Sequence, residues 1–242
     1  MKVGVQLYNL YRTPLNIMEK LKVISTLGYD GVELAGFNGM DYDGFSAKEI
    51  RTAIDEYGLE ICGAHIMYRL FEESMSEIIC FHKEAGIPWV AIPRPLVESK
   101  HDIDLLIGNI NRYSGQLRQA GLNLYYHCHD FEFRDFEGTT AMQEILDATD
   151  IMIEVDVYWA AKGGADVAAF LRKHSDRILY IHLKDGNEEG SCAVGQGKLP
   201  CRSYYELAEA AGAEYVIVED DMQKPDGITS ICNSIQAIRK YE

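Results

Sequence analysis

The stretch YYHCHDFEF, residues 125–133, places two histidines, an aspartate and a glutamate at the end of an apolar segment. Imidazole and carboxylate groups bind divalent cations and carry protons near neutral pH. Side chains alternate along a strand, so His127 and His129 share one face while Cys128 points to the other. A three-ligand His-Cys-His cluster is therefore disfavoured, and Cys128 is expected to pack against a helix.

Further ionisable side chains follow the ends of other apolar segments along the chain. They are Glu33, His65, Glu154, Asp156, His182, Lys184, Asp185, Glu219, Asp220 and Asp221. The amino-terminal ends of the same segments carry few ionisable groups, whereas charge without a function would fall on both ends alike. Taken singly, His65 is typical of a hydrogen-bonded rim residue, and the acidic run at 219–221 is typical of a solvated turn. Taken together, they predict one polar site where the segments end.

These apolar segments are predicted strands that alternate with predicted helices. Glycines such as Gly28 and Gly58 stand between a helix and the next strand, where a left-handed residue ends the helix. The predicted strands are Lys2–Leu7, Gly31–Ala35, Glu60–His65, Trp89–Ile92, Asn123–His127, Ile151–Val155, Ile178–His182 and Tyr215–Val218. Eight such units predict a single (β/α)8 TIM barrel over residues 1–242, with its active site at the C-terminal ends of the strands. An open doubly wound sheet is the alternative, but no G-x-G-x-x-G motif follows the first strand.

The composition is that of a globular protein, 47% hydrophobic and 25% charged. A formal net charge of -15 disfavours nucleic acid and anionic membrane surfaces as partners and favours neutral small molecules. No apolar run approaches the roughly 20 residues that span a bilayer, and the N-terminal stretch lacks the apolar block of a signal peptide. The six cysteines form no C-x-x-C pair, so we expect reduced thiols in the cytoplasm.

Six motifs resemble those of the xylose isomerase-like TIM-barrel proteins, in order along the whole chain: GYDGVELAGF, YHCHDFEF, EVDVYWA, IHLKD, VGQGKLP and VIVEDD. That family is broadly one of sugar phosphate isomerases/epimerases, includes the inosose dehydratases, and has endonuclease IV as a distant relative. The resemblance implies one divalent metal bound by side chains from strands 5 to 8. Matched motif by motif, the implied ligands are Glu132, Asp156, His182 and Glu219. Glu132 lies past its strand and has the opposite parity to His129, so Glu154 remains an alternative ligand.

Three carboxylates and one imidazole form an oxygen-rich site that suits Mn²⁺ first, and also accepts Mg²⁺, Co²⁺ or Zn²⁺. The resemblance implies isomerisation or epimerisation of a sugar or keto-sugar by 1,2-proton transfer through a metal-stabilised enediolate. Glu132 and Glu219 would then be the acid and base.

Substrate contacts are expected from five residues that follow the strands: Glu33, His65, His129, Trp159 and Lys184. The expected partner is a small neutral sugar or keto-sugar, with no nucleic acid and no membrane; assembly into a homo-oligomer stays open. The alternative activity is an inosose dehydratase-like or 3-keto-glycoside lyase, which uses the same proton abstraction. Two further alternatives are an abasic-site endonuclease, which the acidic charge opposes, and a sugar-binding barrel without catalysis.

Overall fold

The computed structural model describes residues 1–36, 42–136 and 138–241. Phe37, which ends one of the quoted motifs, and Glu242, which ends the predicted domain, lie outside these residues. In this part of the chain there are twelve strands: β1 Lys2–Gln6, β2 Gly31–Gly36, β3 Glu60–Ile66, β4 Trp89–Ile92, β5 Asn123–His127, β6 Asp135–Phe136, β7 Thr139–Thr140, β8 Met152–Asp156, β9 Ile178–Leu183, β10 Asp185–Asn187, β11 Gly190–Cys192 and β12 Tyr215–Val218.

Eight of these strands form a closed parallel barrel in the order β1, β2, β3, β4, β5, β8, β9 and β12, with β12 pairing back onto β1. The predicted (β/α)8 barrel is therefore confirmed. Three of the eight predicted strands, β4, β5 and β12, have the predicted bounds. The predicted strand Ile151–Val155 runs instead from Met152 to Asp156, with a register shift before Glu154.

Helices cover the outside of the barrel. In the described residues they are α1 Ile17–Thr26, α2 Ala47–Glu56, α3 Leu70–Glu73, α4 Met75–Glu84, α5 Lys100–Gln119, α6 Ala141–Ala148, α7 Val157–Lys162, α8 Val167–Lys173, α9 Cys201–Ala211 and α10 Gly227–Ile238. Short 3₁₀ turns occupy Leu7–Leu10, Phe131–Phe133 and Ser175–Arg177. Capping boxes at Asn16 and Ser46 start α1 and α2, and Gly28 and Gly58 follow the same two helices with φ of 83° and 66°.

Aromatic side chains fill the lower part of the barrel interior. Tyr125, Tyr180 and Tyr215 are buried there, and the Tyr180 ring contacts each of the other two edge to face. Gly63 leaves the space that Tyr125 needs, because a Cβ atom there would lie 2.4 Å from the tyrosine hydroxyl. That hydroxyl donates to Glu33. The floor of the barrel thus supports the polar layer above it.

The loop after β9 is held by one buried carboxylate. Asp185 accepts from the backbone N–H groups of Gly195, Gly197 and Leu199 at 2.9 to 3.1 Å. Since a Cβ atom on Gly197 would lie 2.2 Å from Asp185 Oδ1, only glycine allows this close approach. None of the helices in the described part of the chain has both the length and the apolar character that crossing a bilayer requires.

Candidate active site

Four side chains from successive barrel strands converge at the C-terminal mouth. His127 ends β5, Asp156 ends β8, His182 lies in β9 and Glu219 follows β12. One donor atom from each lies within 4.8 Å of the others, and all four residues are buried. Metal–ligand bonds of about 2.0–2.2 Å place donors about 3–4 Å apart, a separation that falls within this 4.8 Å limit, so the four side chains could share one small divalent cation.

Each nitrogen of His182 faces a carboxylate. Nε2 lies 2.7 Å from Glu33 Oε2, and Nδ1 lies 3.0 Å from Glu219 Oε2. Gln6 Nε2 donates to the same Glu33 oxygen at 2.7 Å, which fixes the orientation of that carboxylate. If Nε2 donates to Glu33, the lone pair of Nδ1 faces the lone pairs of Glu219. A proton or a cation must therefore lie between Nδ1 and Glu219.

A second buried carboxylate orients the histidines from below. Glu154 Oε2 lies 2.9 Å from His65 Nε2, 2.9 Å from His127 Nδ1 and 3.0 Å from His182 Nε2. Because His127 uses Nδ1 for this contact, its Nε2 is the atom that remains for a cation. Burial alone would lower the pKa of His65, but the charges of Glu33 and Glu154 raise it to about 9.

Lys184 is the one lysine or arginine of the described residues whose charged group lies among these carboxylates. Its ammonium is fully buried, 2.9 Å from Asp156 Oδ2, 2.8 Å from Glu219 Oε2 and 2.9 Å from Asp221 Oδ2. Burial would lower the pKa of Lys184, and the three carboxylates raise it well above its ordinary value. Burial would raise the pKa of Glu219, but Lys184 and His182 hold it well below its usual range, so Glu219 is ionised at neutral pH.

The donors have spare capacity for a cation. Asp156 Oδ1 accepts from the Trp159 N–H at 2.9 Å and caps α7, while Oδ2 has no aligned hydrogen-bond donor despite the nearby ammonium. The pKa of Asp156 is raised to about 6 by burial, an effect that the charge of Lys184 opposes. A divalent cation would favour the ionised form and use the free oxygen. The residues present therefore fit a metal ion.

Glu132 lies outside this group. The 3₁₀ turn Phe131–Phe133 carries it back toward β5, where Tyr126 Oη donates to Oε1 at 2.7 Å and the His129 N–H donates to Oε2 at 2.8 Å. Burial raises the pKa of Glu132 to about 7, although both hydrogen bonds oppose that shift. Its carboxylate holds the turn after β5 in place.

A cavity of about 480 Å³ opens above the converging side chains. Its lining includes His127, His129, Trp159, Glu219 and Asp221. The His129 ring lies 5.8 Å from the Trp159 ring, and its buried Nδ1 has no hydrogen-bond partner in the described part of the chain. Burial, reinforced by the charge of Lys184, lowers the pKa of His129 to about 3, so this ring is neutral at pH 7. Such a volume suits a small polar molecule.

The sequence profile of the xylose isomerase-like TIM barrel family matches residues 21–241. The chain belongs to this family. An inosose dehydratase of Geobacillus kaustophilus is 24% identical over 191 residues, which are 68% of this chain and 60% of that relative. This chain therefore spans about three fifths of the length of that curated relative.

Two solved structures share the fold. A sugar phosphate isomerase/epimerase from Parabacteroides distasonis superposes with a TM-score of 0.85 and 22% identity, covering 99% of this chain and 98% of that one. The IolI protein with a bound zinc atom gives a TM-score of 0.78 and 14% identity, covering 100% and 98%. At these identities the likeness shows the fold.

The ligand set implied by resemblance to the xylose isomerase-like family is only partly brought together. Asp156, His182 and Glu219 converge as implied, but the fourth nearby donor is His127, and Glu132 lies outside the group. The sequence did contain an indication that His127 belongs to the site. His127 is the last residue of the predicted strand Asn123–His127, and Asp156 is likewise the last residue of β8.

The expected substrate-binding residues of this family member fall into two sets. His65, His129 and Trp159 line the cavity, whereas Glu33 and Lys184 lie below it as partners of the convergent groups. Glu154, left open as a ligand, contacts three imidazoles, and it belongs with His65, His127 and His182 to a second buried group whose donor atoms lie within 4.8 Å of one another.

Proposed function

We propose that this protein is a divalent-metal-dependent sugar or keto-sugar isomerase/epimerase that moves a proton between neighbouring carbons through an enediolate. The observation that carries the proposal is the convergence of His127, Asp156, His182 and Glu219 beneath a cavity of ligand size. Membership of the xylose isomerase-like family supports it.

These same four side chains are the proposed ligands. Two imidazoles and two carboxylates form a donor set less oxygen-rich than the one implied by resemblance, which favours Mn²⁺, Co²⁺ or Zn²⁺ over Mg²⁺. A divalent cation at this place would supply Lewis-acid stabilisation of negative charge on the sugar oxygens. Glu33 and Glu154 would orient the two imidazoles through their second nitrogens.

Glu219 is the proposed base for the C–H proton. It is ionised, and it lines the cavity together with His129, which follows β5, three strands from β12 around the barrel. In an isomerisation, Glu219 takes the proton from one carbon and returns it to the neighbouring carbon, which leaves the carboxylate unchanged. General-base help of this kind contributes about 10²–10⁴ in rate.

His129 is the proposed carrier of the hydroxyl proton, in place of Glu132. A neutral imidazole accepts a proton at one nitrogen and donates from the other, so it can move a proton between neighbouring sugar oxygens without net charge. The unpartnered Nδ1 and the neutral state of the ring support this role. Glu132 holds the backbone of His129 and is proposed as a positioning residue.

A dehydratase is the second candidate, because one curated relative is named an inosose dehydratase. Asp221 also favours it, since this residue lines the cavity and burial raises the pKa of its carboxyl. Glu219 would take the same proton, and Asp221 would protonate the departing hydroxyl.

Proton NMR in heavy water tests both candidates on a panel of ketoses and inososes with added Mn²⁺. An isomerase or epimerase exchanges one C–H with solvent or converts the sugar without loss of mass, whereas a dehydratase releases water. We expect Glu219→Gln to lower either rate at least 100-fold, with Glu209→Gln on the outer helix α9 as the matched control. If no sugar of the panel shows exchange or conversion, the proposal is contradicted, and a sugar-binding barrel without catalysis is the remaining interpretation.

A further inference from the structure

Arg94 presents a guanidinium at the mouth of the same cavity. It follows β4 between Pro93 and Pro95, both buried, and its own side chain is exposed. Proline fixes φ on each side of the arginine, so the backbone there has little freedom. Arg94 lines the cavity together with Glu219 and Asp221.

Basic side chains on other segments that follow the barrel strands have partners. Arg69 Nη1 donates to Glu73 at 2.8 Å, Lys198 pairs with Glu188, and the Lys162 ammonium lies 4.4 Å from the centre of the Trp159 ring. Lys184 has its three carboxylates. Within residues 1–36, 42–136 and 138–241, by contrast, Arg94 has no hydrogen-bond or ion-pair partner. In a chain with 38 acidic and 23 basic residues, an unpaired guanidinium at the mouth of a cavity that contains carboxylates is unexpected.

The positive charge of Arg94 and the negative charges of Glu219 and Asp221 lie on opposite walls of the cavity mouth. Around the barrel, β4 and β12 are four places apart among eight strands, so Arg94 faces Glu219 and Asp221 across the mouth. The carboxylates on that far wall are already paired with Lys184 at 2.8 and 2.9 Å. The cavity is thus polarised, with donors for a cation on one side and a free guanidinium on the other.

We infer that the natural substrate carries a carboxylate or phosphate group that Arg94 binds, while neighbouring oxygens at its other end reach the cation-binding side chains. This inference rests on the proposed function and names the substrate class of that site. A guanidinium matches two oxygens of a carboxylate or phosphate in a planar fork. The net charge led us to expect a neutral sugar, but one unpaired arginine at the rim outweighs distant surface charges that salt screens within about 10 Å.

Calorimetric binding tests this directly, with Mn²⁺ present and with three probes: fructose, fructose 6-phosphate and glucuronate. We expect the wild-type protein to bind at least one of the anionic probes about 10-fold or more tighter than fructose, as a charge-assisted hydrogen bond supplies. Whichever anion binds tighter identifies the group as phosphate or carboxylate. Arg94→Gln should reduce the preference for the anionic probe over fructose to less than about 3-fold. The preference of Arg94→Lys should lie between those of the wild type and Arg94→Gln.

Arg69→Gln is the matched control, because Arg69 follows the neighbouring strand β3 and already has Glu73 as a partner. It should keep the wild-type preference. Equal binding of all three probes by the wild-type protein, or an unchanged preference in a folded Arg94→Gln variant, would overturn the inference. Binding needs no turnover, so a lost preference without any C–H exchange would retain the anion site and reject the proposed reaction. Turnover by the wild-type protein, together with unchanged anion binding in Arg94→Gln, would retain the proposed reaction and reject the anion site.

Discussion

His182 Nε2 lies 2.7 Å from Glu33 Oε2, on the side of the ring away from Glu219. This contact assigns the Nε2 proton and leaves Nδ1 for a cation, the arrangement in which a carboxylate raises the basicity of a metal-binding histidine. We therefore expect Glu33→Gln to weaken Mn²⁺ binding about 10- to 100-fold, measured by equilibrium dialysis. Glu60→Gln, at the amino-terminal end of β3 beside Lys2, is the control and should bind as the wild type does. Equal affinity in Glu33→Gln would show that this contact does not tune the site.

The structure and the resemblance to the family differ in the fourth proposed metal ligand, which is His127 in the structure and Glu132 by resemblance. His127 lies within 4.8 Å of Asp156, His182 and Glu219, whereas both oxygens of Glu132 already accept hydrogen bonds. We expect His127→Ala to lower Mn²⁺ affinity at least about 100-fold and Glu132→Gln to change it by less than about 3-fold. The reverse order of effects would restore Glu132 as the ligand.

Lys184 should contribute most to the stability of the fold when no metal is bound. Removing its ammonium takes the cation away from three carboxylates, of which Glu219 keeps His182 as a partner at 3.0 Å. Loss of one partner from a buried ion-pair group destabilises a protein by about 3–5 kcal/mol. Urea unfolding with chelator should show that loss for Lys184→Met, and saturating Mn²⁺ should recover a large part of it. Lys198→Met removes an exposed pair with Glu188 and should leave the free energy of unfolding close to that of the wild type. An equal loss with and without Mn²⁺ would place the cation elsewhere.

His82 should give the protein a pH-dependent stability outside the site. It is buried on α4, its Nδ1 lies 2.7 Å from the Ile78 carbonyl, and burial lowers its pKa to about 4 from an ordinary value of 6.5. Above pH 6.5 the ring is neutral in both states, so its contribution is fully present. As the pH falls from 6.5 to 4 the unfolded chain takes up the proton first, and about 3 kcal/mol of stability is lost.

Urea unfolding at several pH values measures this effect. The slope of the free energy of unfolding between pH 6.5 and 4 should be shallower in His82→Phe than in the wild type. His101→Asn, at an exposed position on α5, should keep the wild-type slope. Parallel slopes in all three proteins would mean that His82 titrates alike in the folded and unfolded states.

The barrel could be predicted because strand and helix patterns are local. Apolar runs ending in glycine-flanked turns located all eight barrel strands to within a residue or so at each end. The position of Glu132 could not be read in this way, since it depends on the 3₁₀ turn after β5 and on a tyrosine hydroxyl from within that strand. The burial of Lys184 depends on three carboxylates from β8 and from the turn after β12, which no local pattern reports.

The same limit explains the two glutamates beneath the site. Glu33 and Glu154 follow or lie in predicted strands, and their side chains were noted as polar groups at the mouth. Their contacts with His182, His127 and His65 join residues 27 to 149 positions apart. Only the closed barrel brings these residues into hydrogen-bond distance.

Pulsed electron paramagnetic resonance of the Mn²⁺-loaded protein tests the central claim most directly. If His127, Asp156, His182 and Glu219 hold one cation, the spectrum shows coupling to two imidazole nitrogens, and His127→Ala removes one of them. Coupling to a single nitrogen in the wild type, or two couplings that persist in His127→Ala, would contradict the proposed ligand set.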